Sequence, residues 1–204
     1  MKEALIVVDV QNDFIPGGAL AVPEGDLIVP VANQMMGRFD LVVATQDWHP
    51  PDHGSFASRY PGKRPGDFVE LNGRQQILWP DHCVAHSSGA AFVSGLDVDG
   101  IAHVVRKGMD KRVDSYSGFF DNDHRKTTGL GEYLRNQAVD QVAIMGLATE
   151  YCVKFTALDA RRLGFKTRLI REGVRGVELN PGDCEKAITA MRDAGVRIVG
   201  VEDI

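Results

Sequence analysis

The chain alternates two kinds of hydrophobic pattern. Short, nearly continuous apolar runs occupy residues 4–8, 41–45, 101–105, 142–146, 167–170 and 196–199. Uninterrupted β-branched runs of this length predict strands buried on both faces, as in a parallel sheet. Between them, apolar residues recur at helical spacing. Cys184, Ala187, Ile188 and Met191 follow i, i+3, i+4, i+7. Val153, Ala157 and Ala160 mark a second amphipathic helix, closed by Gly164. Further helices are expected over residues 26–36, with Pro30 confined to the first turn, and over 129–138. Strands alternating with helices predict an α/β fold with right-handed crossovers and a mostly parallel six-stranded sheet.

Residues 46–100 break the rhythm and show neither period. They hold five of the nine prolines, both tryptophans and four of the six histidines. A long irregular segment inside a domain is usually functional or disordered, and two Trp with four His argue against disorder. The segment is therefore expected to be a structured excursion that carries a site.

Length and charge narrow the function. At 204 residues the chain suits one α/β domain, residues 1–204, with a sizeable core. A net charge of −5 gives no basic face for nucleic acid or an anionic membrane, which leaves small molecules as the expected partners. The opening MKEALIVVDV is apolar but short and reads as a first strand, not a signal peptide. Cys83, Cys152 and Cys184 make no disulfide framework; they suit a reducing cytoplasm and allow a reactive thiol.

Three candidate reactive groups sit at the carboxyl ends of expected strands, where open α/β sheets bind ligands. Asp9 ends the first, in VVDVQNDF, although a turn-capping Asp would occupy the same place. Lys107 follows another, in VVRKGMD. Cys152, in GLATEYCVKF, falls in the first turn of a helix. There the macrodipole and a nearby cation are expected to lower a thiol's pKa, and free N–H groups can receive an oxyanion. Each position alone also fits a structural residue; their shared edge of the sheet points to a cysteine hydrolase.

Asp47 and His49, spaced at period two, with His82 in WPDHC, form a candidate metal set. Mixed carboxylate and imidazole donors suit Zn²⁺, Fe²⁺ or Mn²⁺ better than Ca²⁺. His53 is a possible fourth ligand or a supporting group. Cys83 is read as either a soft ligand or a packed thiol, and Cys184 as core. His86, His103 and His124 are read as structural or surface residues. Gly17, Gly18 and Gly108 form no dinucleotide or phosphate-binding fingerprint.

The blocks VVDVQNDFIPGGALAV, TQDWHPPDHGSFAS, LWPDHCV, VRKGMDKRVDSYSGFFDN and GLATEYCVKFTALDA closely resemble the nicotinamidases of the isochorismatase-like cysteine hydrolase family. The resemblance spans nearly the whole chain. It implies that family's Rossmann-like three-layer α/β/α domain and a catalytic triad of Asp9, Lys107 and Cys152. It also implies a divalent metal, Zn²⁺ first, on Asp47, His49 and His82. A cis peptide at residues 147–148 is implied, with the Ala148 and Cys152 amides as oxyanion hole and Phe14, Trp79 and Tyr116 as walls around a pyridine ring. The implied reaction is hydrolysis of nicotinamide, with pyrazinamide-like analogues as further substrates, feeding NAD salvage in the cytoplasm by a monomer or homo-oligomer. Relatives on this scaffold that act on N-carbamoyl or ureido amides need no such metal set. A non-catalytic module with a structural metal would need four secure ligands, and the sequence offers three.

Overall fold

The computed structural model describes residues 2–204. Six parallel strands build the central sheet: β1 (Lys2–Val8), β2 (Leu41–Asp47), β5 (His103–Lys107), β6 (Val139–Leu147), β7 (Lys166–Arg175) and β8 (Arg197–Val199). Their order is β5-β2-β1-β6-β7-β8. The chain first builds outward from β1 to β2 and β5, then crosses back to lay β6, β7 and β8 on the other side. That reversal opens a crevice between the carboxyl ends of β1 and β6, the place where such sheets take ligands.

Alternate residues of β1 feed two cores. Ala4, Ile6 and Val8 face α2 (Leu130–Asn136), α3 (Lys154–Arg162) and α4 (Asp183–Asp193). Leu5 and Val7 face α1 (Ile28–Met36) and the chain around Ala90–Leu96. In α1 the buried residues Ile28, Val29, Ala32, Met35 and Met36 form one stripe, and Pro30 lies in its first turn, where no N–H bond is lost. Burial on both faces holds for β1 and β2 but not at the edge, where β5, paired on one side only, exposes Val104 and Arg106. No helix among the described residues is long and apolar enough to cross a membrane.

The excursion is less irregular than its sequence suggests. It contains an antiparallel hairpin, β3 (Phe68–Leu71) and β4 (Arg74–Ile77). Asn72 and Gly73 both take positive φ, as a two-residue type I′ turn requires. Half of the eight strand residues are exposed and only Gln76 is buried, so neither strand packs an apolar run into the core. The Asn-Gly pair was the available signal.

Gly146 fixes the approach of β6 to β1. Its φ is +125°, and an added Cβ would fall 2.0 Å from the Val8 carbonyl oxygen. Gly146→Ala should therefore cost more than about 2 kcal/mol, through steric clash and disfavoured φ. The check is the urea midpoint of unfolding; an unchanged midpoint would show that the two strands tolerate separation.

Candidate active site and metal centre

Four strand ends meet at the crevice. Asp9 follows β1 with φ +49°, which turns its side chain out of the strand path. Asp47 ends β2 and pairs in register with Lys107, the last residue of β5. After β6 comes a cis peptide at Leu147-Ala148, then a π-helical turn, Thr149–Val153, which carries Cys152 into α3.

Lys107 connects them. Its stem crosses β2, and its Nζ lies 2.5 Å from Asp47 Oδ1, 2.8 Å from Asp9 Oδ2, 2.9 Å from the Ser115 carbonyl oxygen and 3.3 Å from Cys152 Sγ. The side chains of Lys107 and Asp9 are fully buried. Lys107 Nζ is thus shared among Asp47, Ser115 and Cys152, with Asp9 Oδ2 in ion-pair contact at 2.8 Å. Asp9 Oδ1 is held by the Thr45 hydroxyl at 2.6 Å.

Burial and charge set the protonation order. Burial works against the Lys107 cation, but Asp47 and Asp9 outweigh it and raise its pKa well above the ordinary value. Burial also pushes up Asp47, yet Lys107 and then His49 hold its carboxyl far below the usual range. Asp9 goes the other way: burial dominates, Lys107 opposes it, and the neighbouring Asp47 charge adds to the rise. Two carboxylates on one ammonium are thus driven apart, one a fixed anion and the other able to take a proton. The Cys152 thiol is pushed well above its ordinary pKa, first by burial and then by both carboxylates, against the pull of Lys107. This corrects the expectation that helix dipole and cation would lower it: removal from water costs the thiolate more than they return.

Asp47, His49 and His82 bring one ligand atom each to within 4.8 Å of one another. His49 Nδ1 faces the Gly108 carbonyl at 2.8 Å and His82 Nδ1 the Pro80 carbonyl at 2.7 Å. Donating Nδ1–H to a carbonyl leaves each Nε2 lone pair free for a metal. His49 Nε2 indeed lies 3.7 Å from Asp47 Oδ2. Burial, and then the neighbouring His49, lower His82 to about 4, which keeps it a neutral donor. The residues therefore fit a divalent ion of the zinc type. Gly108 is required here, since a Cβ would sit 2.4 Å from the His49 ring. Trp48, between the two ligands, points elsewhere and stacks under Arg106.

The other histidines and cysteines lie elsewhere. His53 is buried with Ser55 and groups with His49 and Asp114, outside the Asp47–His82 set. His86 is edge-on to Trp48, His103 stacks on Tyr133 and His124 on Phe120. Cys83 is a packed core thiol. Cys184 departs from its expected core place: it is half-buried, with Sγ 3.6 Å from Glu150 Oε2.

Phe14, Trp79 and Tyr116 line one small cavity with Cys152, Asp47, His82 and Ala148. Trp79 Nε1 donates to the Tyr116 hydroxyl at 3.1 Å, and Tyr151 meets both rings. Leu20, Asp114, Tyr151 and Val177 also line it and were not singled out from the sequence. Tyr151 was within reach, being adjacent to Cys152; Leu20 and Val177 carry no local signal.

A parallel sheet with a thiol, a carboxylate and an ammonium at its switch point defines a hydrolase-like site, and the chain belongs to the isochorismatase domain family, whose model matches residues 3–203. Within that family the chain is 49% identical to the nicotinamidase of Escherichia coli over 204 residues, covering 98% of this chain and 95% of the relative. It superposes on the nicotinamidase/pyrazinamidase structure from Acinetobacter baumanii with a TM-score of 0.96 at 45% identity, covering 99% and 97% of the two chains. The pyrazinamidase of Pyrococcus horikoshii in complex with zinc matches with a TM-score of 0.80 at 42% identity, over 98% and 99%.

Lys107→Met should leave two buried carboxylates without their cation and cost about 3–5 kcal/mol of stability. Chemical denaturation at neutral pH measures this; a loss below about 1 kcal/mol would mean that the ammonium is not the centre of the cluster.

Proposed function

We propose that the chain hydrolyses nicotinamide to nicotinate and ammonia through a Cys152 thioester. The observation that carries this reading is the buried Cys152 thiol, between Lys107 and Asp9, facing a small aromatic cavity whose wall also holds Asp47 and His82. Full-length similarity to nicotinamidases supports the choice of substrate.

Asp9 takes the thiol proton, and the sulfur attacks the carboxamide carbon. The oxyanion is received by the Ala148 and Cys152 backbone amides; one such donor is typically worth roughly 10²–10³ in rate. Asp9 passes its proton to the departing nitrogen, and ammonia leaves. Asp9 then draws a proton from water, whose oxygen attacks the thioester; nicotinate leaves and the proton returns to sulfur. Lys107 steadies the charge on Asp9 and on sulfur, as its contacts with both imply. Phe14, Trp79 and Tyr116 hold the ring flat, so that binding energy is spent on orientation.

The metal is proposed to be one Zn²⁺, with Fe²⁺ or Mn²⁺ as alternatives, on Asp47, His49 and His82. Held by these residues, a divalent ion would supply a Lewis acid toward the substrate ring. This set argues against the N-carbamoyl or ureido reading, which gives Asp47, His49 and His82 no task. Pyrazinamide-like analogues, with the same ring nitrogen, belong to the proposed range. The product class places the reaction in pyridine nucleotide salvage, and three unpaired thiols suit a reducing cytoplasm.

Cys152→Ala should abolish ammonia release from nicotinamide and leave the circular dichroism unchanged; near-normal turnover would overturn the nucleophile assignment. Chelation followed by gel filtration should raise the apparent KM for nicotinamide without unfolding the protein. A metal-free sample with full activity would remove the ion from the proposal.

A further inference from the structure

Glu150 is 5% exposed and takes no part in the proposed reaction, although it stands two residues before Cys152 in the turn that carries the thiol. Its carboxylate reaches the segment between β7 and α4. Oε1 accepts the Glu178 amide at 2.7 Å, and Oε2 accepts the Cys184 thiol, with the sulfur at 3.6 Å. Gly176 passes so close that an added Cβ would fall 2.5 Å from Glu150 Oε2 and 2.0 Å from Cys184 Sγ. Glycine is needed here for close approach, since a side chain would push the segment off the carboxylate. Glu178 turns back with φ +57°, and its own carboxylate accepts the Gly182 amide at 2.8 Å, ahead of α4. Between Gly176 and Glu178 stands Val177. It lines the cavity of Cys152 and packs on the core that includes Phe14, Leu147 and Ala148.

We propose that Glu150 is a positioning residue, which through the Glu178 amide holds Val177 as a wall of the ring cavity. The turn Thr149–Val153 then does two things at once. It carries the nucleophile, and it fixes one wall of the cavity that the nucleophile faces. The distance from that wall to the sulfur is set by Glu150, not by the loop that leads into α4.

A buried carboxylate that accepts a backbone N–H makes a stronger bond than a neutral acceptor in water, and losing it leaves the amide unpaired. Without Glu150 the segment is free to lift, and Val177 leaves the ring. A flat ring is then gripped less tightly in both the ground state and the transition state, which raises KM more than it lowers kcat. The inference rests on this cavity being the ring site of the proposed amidase, so one readout is chosen that does not depend on activity.

That readout is amide hydrogen exchange in the unaltered protein. Glu178 is an exposed residue, yet its amide should exchange at least about a hundredfold more slowly than an open loop amide. Exchange at the open-loop rate overturns the proposal, whether or not any variant folds. In ammonia release from nicotinamide, Glu150→Ala should raise KM about tenfold and change kcat less than about threefold. Glu150→Gln keeps an acceptor for the Glu178 amide and should bring KM back to within about threefold of the parent. Val177→Ala should raise KM as well, and Glu150→Ala/Val177→Ala should be no worse than the worse single variant. An unchanged KM in Glu150→Ala, no recovery in Glu150→Gln, or effects that multiply in the double variant each overturn the proposal. A parent protein that releases no ammonia defeats the proposed reaction instead, and the exchange of the Glu178 amide still decides the contact.

Discussion

The structure turns on one ammonium ion held away from water. A buried lysine is tolerable only when opposite charge and hydrogen-bond acceptors replace the solvent it has lost. Lys107 has two carboxylates, a backbone carbonyl and a sulfur within 3.3 Å. They come from β1, β2, the Ser115 loop and the turn after β6, so the cation cannot be satisfied until all four are in place. Sheet order follows from the same requirement. The stem of Lys107 is long enough to cross β2 and reach Asp9, but only if β5 and β1 flank β2.

The asymmetry of the two acids follows from their surroundings. Asp47 has the His49 ring beside it as well as Lys107; Asp9 has burial and the Asp47 charge against it. A single cation beside two equivalent carboxylates would leave the proton undecided. Placing one of them against imidazoles makes the other the proton carrier, and the same imidazoles are the candidate metal donors. Acid/base chemistry and metal binding therefore share Asp47, with one oxygen toward Lys107 and the other toward His49.

Much of this was legible along the chain, for identifiable reasons. The central strands showed because burial on both faces leaves an uninterrupted apolar run, as in residues 4–8. The strand-end positions of Asp9 and Lys107 follow from those runs, and Asp47 and His49 from period-two spacing. The hairpin was missed because its two four-residue strands bury almost nothing in the core and are marked only by the Asn72-Gly73 turn. Asp114 was missed because a lone acid in a loop has no pattern; only folding sets it between Gln76, His49 and the cavity. The direction of the Cys152 shift was misjudged because local position shows the helix start, while burial is a property of the whole fold.

The strand order also governs how the molecule comes into being. Residues 9, 47, 107 and 152 are neighbours in space but are spread over more than two thirds of the chain. Such long-range pairing closes large loops before contacts compensate for them, which makes folding slow compared with locally wired proteins. During synthesis the first three members exist long before the fourth emerges, with carboxylates and ammonium still hydrated. Nothing site-like can be assembled until β6 is threaded beside β1, and the chain acquires its chemistry in one late step.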